Sequence, residues 1–138
     1  GCLTTASSGT GGGWRYYNEH SPDIAYNSKE NIFLVVWTQY CNDSMGVLSE
    51  SGTDIYGSIV YFKDNDIKAK NSTIPLSRDA NDRYYQSEPS ACYSSADEKY
   101  IVVWREDGDE AYLVEAIAVG DDGEVYLNKK AVIAAKFL

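Results

Sequence analysis

Hydrophobic and polar positions alternate along this chain in short ribbons rather than in helical stripes. Phe33-Leu34-Val35-Val36-Trp37 is apolar at every position, and so is Tyr100-Ile101-Val102-Val103-Trp104. In a strand, Phe33, Val35 and Trp37 point to one face and Leu34 and Val36 to the other. Both faces are apolar, which predicts a strand covered front and back. The runs are short and rich in β-branched residues, which favours strand over buried helix. A polar turn precedes each ribbon, Asn27 to Asn31 in one case and Ser94 to Lys99 in the other. Asn, Ser and Asp suit such turns because they bond their own backbone and tolerate unusual angles. A further strand precedes each turn.

The two ribbons belong to an internal repeat. Pro22, Tyr26 and Trp37 recur as Pro89, Tyr93 and Trp104, each 67 residues later. Arg15-Tyr16-Tyr17 recurs as Arg83-Tyr84-Tyr85 at a spacing of 68, so one residue is gained or lost before the proline. Each Trp is followed by another alternating run, Asp54 to Phe62 and Tyr112 to Val119. Acidic turns close these runs, at Lys63 to Asp66 and Gly120 to Gly123. Last apolar strands follow near Ser72 to Leu76 and Ala131 to Phe137, the latter with a short helix as alternative. Four strands in an up-and-down meander is the build of a propeller blade.

The elements Pro22-Asp23-Ile24-Ala25-Tyr26-Asn27, Leu34-Val35-Val36-Trp37 and Asp54-Ile55-Tyr56-Gly57 resemble repeats of extracellular bacterial and archaeal β-propeller-like proteins. The resemblance covers most of residues 14–138. The second copy departs from it, with Cys92 for the Ala, Ser94 for the Asn, and no Asp-Ile-Tyr-Gly. The resemblance implies an all-β fold of two tandem four-stranded antiparallel blade-like units and a secreted or cell-surface location. It is silent about activity.

On this reading residues 1–13, rich in Gly, Ser and Thr, form a flexible tether. Residues 14–82 are unit 1 and 83–138 unit 2, together one compact domain. Gly1-Cys2 ahead of a tether is similar to the start of a mature bacterial lipoprotein, so lipid anchoring through Cys2 is one expectation and a cloning remnant the other. Two blades do not close a ring and leave edges that proteins normally cover. Identical subunits would complete it, a trimer giving six blades; further repeats of a longer chain would do the same. A two-sheet β-sandwich is the alternative.

Composition narrows the partners. The chain has 138 residues, 12 of them Tyr, and a net charge of −9. Such a surface repels nucleic acid and anionic membrane, and no run is apolar enough to insert in a bilayer as a helix. Three cysteines, Cys2, Cys41 and Cys92, leave at least one outside any internal disulfide. Cys92 is expected to pack as a small apolar residue. Asn42-Asp43-Ser44 and Asn71-Ser72-Thr73 match the glycosylation sequon.

No catalytic constellation stands out, and no cofactor motif is present. The single histidine, His20, has only sequence neighbours for partners. Asp64 with Asp66, and Asp121 with Asp122, are weak calcium candidates, because such a pair supplies too few of the oxygens calcium requires. Paired carboxylates for glycoside hydrolysis would need a cleft at set spacing. The better binding candidates are Trp14, Arg15, Tyr16 and Tyr17, with Arg83, Tyr84 and Tyr85. Tyr offers a flat face and a hydroxyl, and Arg a fork for carboxylate. The alternative is that they pack between blades. Residues 41–53, which the second copy mostly lacks, form a candidate specificity loop. Tyr26, Val35, Trp37, Tyr93, Val102 and Trp104 are expected in the core. These features predict a non-enzymatic binding module for carbohydrate or protein. A structural assembly subunit and a hydrolase fragment are the alternatives.

Overall fold

A computed structural model describes residues 17–41, 53–77, 85–107 and 111–136, with side chains within 19–39, 53–77, 85–107 and 112–126. It is all-β, with no helix among the described residues. The strands are β1 (Tyr17–Asn27), β2 (Ile32–Cys41), β3 (Thr53–Lys63), β4 (Asp66–Ala69) and β5 (Ile74–Pro75), then β6 (Tyr85–Ser94), β7 (Lys99–Asp107), β8 (Ala111–Gly120) and β9 (Val125–Lys136). They form two antiparallel sheets. The first has the order β1-β2-β3-β4, with β5 also pairing β3, and the second has the order β6-β7-β8-β9. The segment from Ala131, weighed above as a helix, lies in strand β9 as far as Lys136.

The repeat is present in the backbone itself. Tyr26 pairs with Phe33 in the first sheet, and Tyr93 with Tyr100 in the second. Both first strands break register at the same place, between His20 and Asp23 and between Ser87 and Ser90. Each break holds a residue of left-handed backbone, Ser21 (φ 53°) or Glu88 (φ 54°), followed by the proline. Proline lacks the amide a ladder needs, so it is tolerated at such a bulge on an edge strand. The hairpin turns match as well: Asn31 and Glu98, again 67 apart, are left-handed at φ 53° and 52°. Asn27 Oδ1 accepts from the Lys29 and Glu30 amides, and Ser94 Oγ from the Asp97 amide. Asp64 and Asn65, both left-handed, make the tight turn into β4.

One core joins the sheets. It contains Leu34, Val36, Ile55 and Ile59 from the first, and Tyr100, Val102, Trp104 and Val119 from the second. Strand β6 lies across β1, β2 and β3. In both sheets the buried positions of the central ribbon are even-numbered. The repeat spacing of 67 is odd. The equivalents of Leu34 and Val36 are therefore Ile101 and Val103, which are only half-buried, and the equivalent of Trp104 is Trp37. Each sheet thus uses the opposite face of the same repeat. The units stack head to tail, with the Trp face of unit 2 on the back of unit 1.

This overturns part of the sequence reading. Val102 and Trp104 lie in the core, the latter 1% exposed, and Tyr93 packs against it. Tyr26, Val35 and Trp37 do not belong to it. They lie on the outer face of the first sheet, where Tyr26 is 49% exposed and Val35 and Trp37 are half-buried. The ribbon is apolar on both sides, but only one side of each meets the other sheet. Cys92 is corrected too: it is free and exposed, because its side of β6 faces away from the core.

Polar groups pin the stacked edges. Asp23 Oδ2 accepts from the Ala91 amide at 2.8 Å and from Ser90 Oγ at 3.2 Å. Asp23→Ala leaves that amide without its charged acceptor and is expected to cost about 1–3 kcal/mol, read as a lower urea midpoint at unchanged slope. At the hairpin end, Lys29 pairs with Glu98, which raises the lysine pKa and lowers that of the carboxylate. The pair is solvent-exposed, so its contribution is small.

Candidate functional site

Two regions bring together the groups capable of recognition: a polar seam between the sheets and the outer sheet faces. The seam is built on Asp121, in the turn between β8 and β9. Its Oδ1 accepts from Asn27 Nδ2 at 2.9 Å, and its carbonyl accepts from Lys70 Nζ. Beside it Asn71 Nδ2 donates to the Asp122 carbonyl at 3.1 Å, while Asn71 Oδ1 accepts from the Ile59 amide. A glycan on Asn71 would occupy the nitrogen that makes this seam, so the sequon there conflicts with the packing. Asp122 Oδ1 caps the Glu124 amide within its own turn.

The weak calcium candidates are accounted for individually. Asp121 and Asp122 serve the seam and the turn. Asp64 and Asp66 are exposed at the β3–β4 turn, with Asp66 3.6 Å from Lys68. Among the described residues, no three His, Cys, Asp or Glu side chains converge as a metal set would require. A shallow depression of about 460 Å³ lies at the same end, lined by Ile32, Tyr61, Phe62, Lys63 and Lys70 among others.

Tyr100 is the titratable group most altered by the stacking. Its hydroxyl donates to the Ile32 carbonyl across the sheets, at 3.3 Å. Burial, and then the nearby Asp121 carboxylate, push its pKa far above the ordinary phenol value. A raised phenol pKa holds the folded state protonated after the unfolded chain has begun to ionise. The contribution is therefore complete below about pH 10 and is lost as pH rises through the folded value. Stability is expected to fall as pH rises above about 10, and to fall less steeply in Tyr100→Phe, by urea midpoints at each pH. At neutral pH the same substitution should cost about 1 kcal/mol.

The aromatic segments singled out from sequence are only partly within the described residues. Trp14, Arg15, Tyr16, Arg83 and Tyr84 lie outside them, as does most of the 41–53 loop. Tyr17 opens β1 opposite Cys41, and Tyr85 opens β6 opposite Asp107. By register Tyr85 holds the ladder position of Asn18, whose partner is Tyr40, rather than that of Tyr17. The strands keep the 67-residue spacing, and the Arg-Tyr-Tyr motifs are slipped by one against it. A one-residue slip reverses the face a side chain takes, so the two motifs are not equivalent sites. Tyr85 itself is 55% exposed.

Sequence reasoning missed the outer face of the first sheet. Tyr26 stacks on Phe33 with ring centroids 4.7 Å apart, and Trp37 lies 6.4 Å from Tyr56 with rings nearly parallel. Ile24, 56% exposed, extends this surface along β1. The pair Tyr26–Phe33 repeats as Tyr93–Tyr100 (4.9 Å) at the interface between the sheets. The outer face of the second sheet carries Cys92, Ile101 and Ala118 in one row and Ser90, Val103 and Ala116 in the next. Lys99 lies over Tyr126 and Arg105 over Tyr112 at its two ends, the latter cation also held by Asp107.

Compared with known proteins, the chain matches no family model, no curated protein and no solved structure.

Proposed function

We propose that this chain is a non-enzymatic interaction module, extracellular or cell-surface, whose two propeller-like blades act through protein–protein contact across their open sheet faces. The observation that carries the reading is the outer face of the first sheet. Along β1 and β2 it copies the face that the second sheet buries, with Tyr26, Phe33, Val35 and Trp37 where Tyr93, Tyr100, Val102 and Trp104 make the internal interface. On β3 the likeness ends, and towards Trp37 the face is already covered, with Tyr56 3% exposed and Gln39 fully buried; its open part is the Ile24, Tyr26 and Phe33 end. A surface with the composition of an interface, left facing outward, marks an interaction site. Head-to-tail stacking favours blades over a face-to-face sandwich, in which equivalent faces would meet. The extracellular placement rests on the resemblance of the repeat.

Carbohydrate recognition is the second reading, and exposed Tyr85 favours it. A glycan array probed with the intact chain and with Tyr85→Ala separates the two. Protein contact predicts no glycan signal above background. A specific signal lost in Tyr85→Ala would replace this reading with a lectin-like one.

A further inference from the structure

The internal interface is a template for an external one. It joins the back of unit 1 to the Trp face of unit 2; the back of unit 2 is turned outward, and so is the Ile24 and Tyr26 end of the Trp face of unit 1, whose Trp37 end is covered around Tyr56 and Gln39. The back of unit 2 and the Trp face of unit 1 are therefore the two halves of the same contact. We propose that a second copy of this chain seats the Trp face of its first sheet on the back of the second sheet, continuing the stack head to tail. This rests on the protein-contact reading above and names the partner.

The residues support the match in detail. On the receiving face, register places Cys92, Ile101, Val103, Ala116 and Ala118 where the internal contact has Ala25, Leu34, Val36, Gly57 and Ile59. All are small or aliphatic. The receiving face is smaller at Ala118 than at Ile59, and the docking face is larger at Ile24 than at its equivalent Ala91. The docking side offers the equivalent aromatic pair, Tyr26–Phe33, at a similar centroid distance to Tyr93–Tyr100 (4.7 against 4.9 Å) but stacked at 26° where the buried pair is tilted at 57°.

One difference sets the strength. Inside the chain, Asp23 clamps the Ala91 amide. Its equivalent on the receiving face is Ser90, which has no carboxylate and whose neutral hydroxyl is already donated to Asp23 within the chain. Hydrogen bonds to a charged acceptor are roughly twice as strong as neutral ones, so the external contact is weaker than the internal one and reversible. Each copy also carries a net charge of −9. Salt screens that repulsion while leaving apolar burial intact, so assembly strengthens with ionic strength. A heterologous contact of this kind closes into a ring or runs on as a filament according to its rotation.

The test uses the 138-residue chain and two single variants. Ile24→Arg spoils the docking face and Cys92→Arg the receiving face; both positions are exposed, so the fold should persist by circular dichroism. Light scattering and sedimentation should show wild-type protein assembling as concentration rises towards about 1 mM, a weak specific affinity. Each variant alone should weaken association by about 30-fold or more. Mixed in equal amounts, the two variants should form a one-to-one dimer, since each supplies the face the other lacks. Wild-type protein that stays monomeric overturns the inference, as does Cys92→Arg that dimerises on its own or a mixture that stays monomeric. Those failures leave the protein-contact reading standing with another partner, whereas a Tyr85-dependent glycan signal would remove that reading and leave assembly untouched.

Discussion

Trp104→Ala is expected to destabilise the protein by about 3–5 kcal/mol, the range for a fully buried aromatic, and the equivalent Trp37→Ala by about 1–2 kcal/mol. The two tryptophans end identical ribbons and stand in the same repeat position. They differ in what covers them. Trp104 lies between the sheets and is 1% exposed, so its removal opens a cavity the packed strands cannot close. Trp37 lies on the outer face and is only half-buried, so less packed surface is lost with it. The aliphatic positions should show the reverse order. Leu34 is fully buried and Leu34→Ala should cost about 2–5 kcal/mol, whereas its equivalent Ile101→Ala should cost less than half as much. Urea midpoints at constant slope measure all four. Equal costs at Trp37 and Trp104 would contradict head-to-tail stacking.

Gly123→Val should lower stability by about 2–4 kcal/mol, through backbone strain and overpacking together. Gly123 closes the turn between β8 and β9 at φ 85°, a conformation that β-branched residues strongly resist. A Cβ there would also fall 1.9 Å from Asn71 Nδ2 and 2.9 Å from Ile74 Cδ1. Neither has room to retreat. Asn71 bonds the Asp122 carbonyl and the Ile59 amide, and Ile74 belongs to the core. The substitution therefore breaks the seam between the sheets as well as the turn. Calorimetry would register a lower Tm. Gly123→Val combined with Asn71→Ala separates the two causes: it should recover part of the loss from the clash and none from the backbone. A variant as stable as wild type would mean the β8–β9 turn does not abut the first sheet.

The chemistry of the faces was legible only in part. The sequence named the right ribbons and their repeat, but it assigned Tyr26, Val35 and Trp37 to the core along with Val102 and Trp104. It could not separate them, because a ribbon apolar on both sides reads the same whichever side is covered. It paired Arg15-Tyr16-Tyr17 with Arg83-Tyr84-Tyr85 by likeness, and the ladder moved that pairing by one residue. Likeness of side chains does not carry register, which backbone hydrogen bonds and the bulge fix. Cys92 was placed inside as a small apolar residue, but it is exposed.

What the chain determined alone was local. Apolar alternation, the Asn and Ser turns, the bulge prolines and the 67-residue recurrence are short-range, and each acts within a few residues on backbone preference and strand period. They fixed an all-β chain of two like units. Which face of each unit is covered, and hence which residues remain for recognition, was decided by the stacking of one sheet on the other. That choice is made by long-range burial between residues some 67 positions apart, which covers opposite sides of two like ribbons.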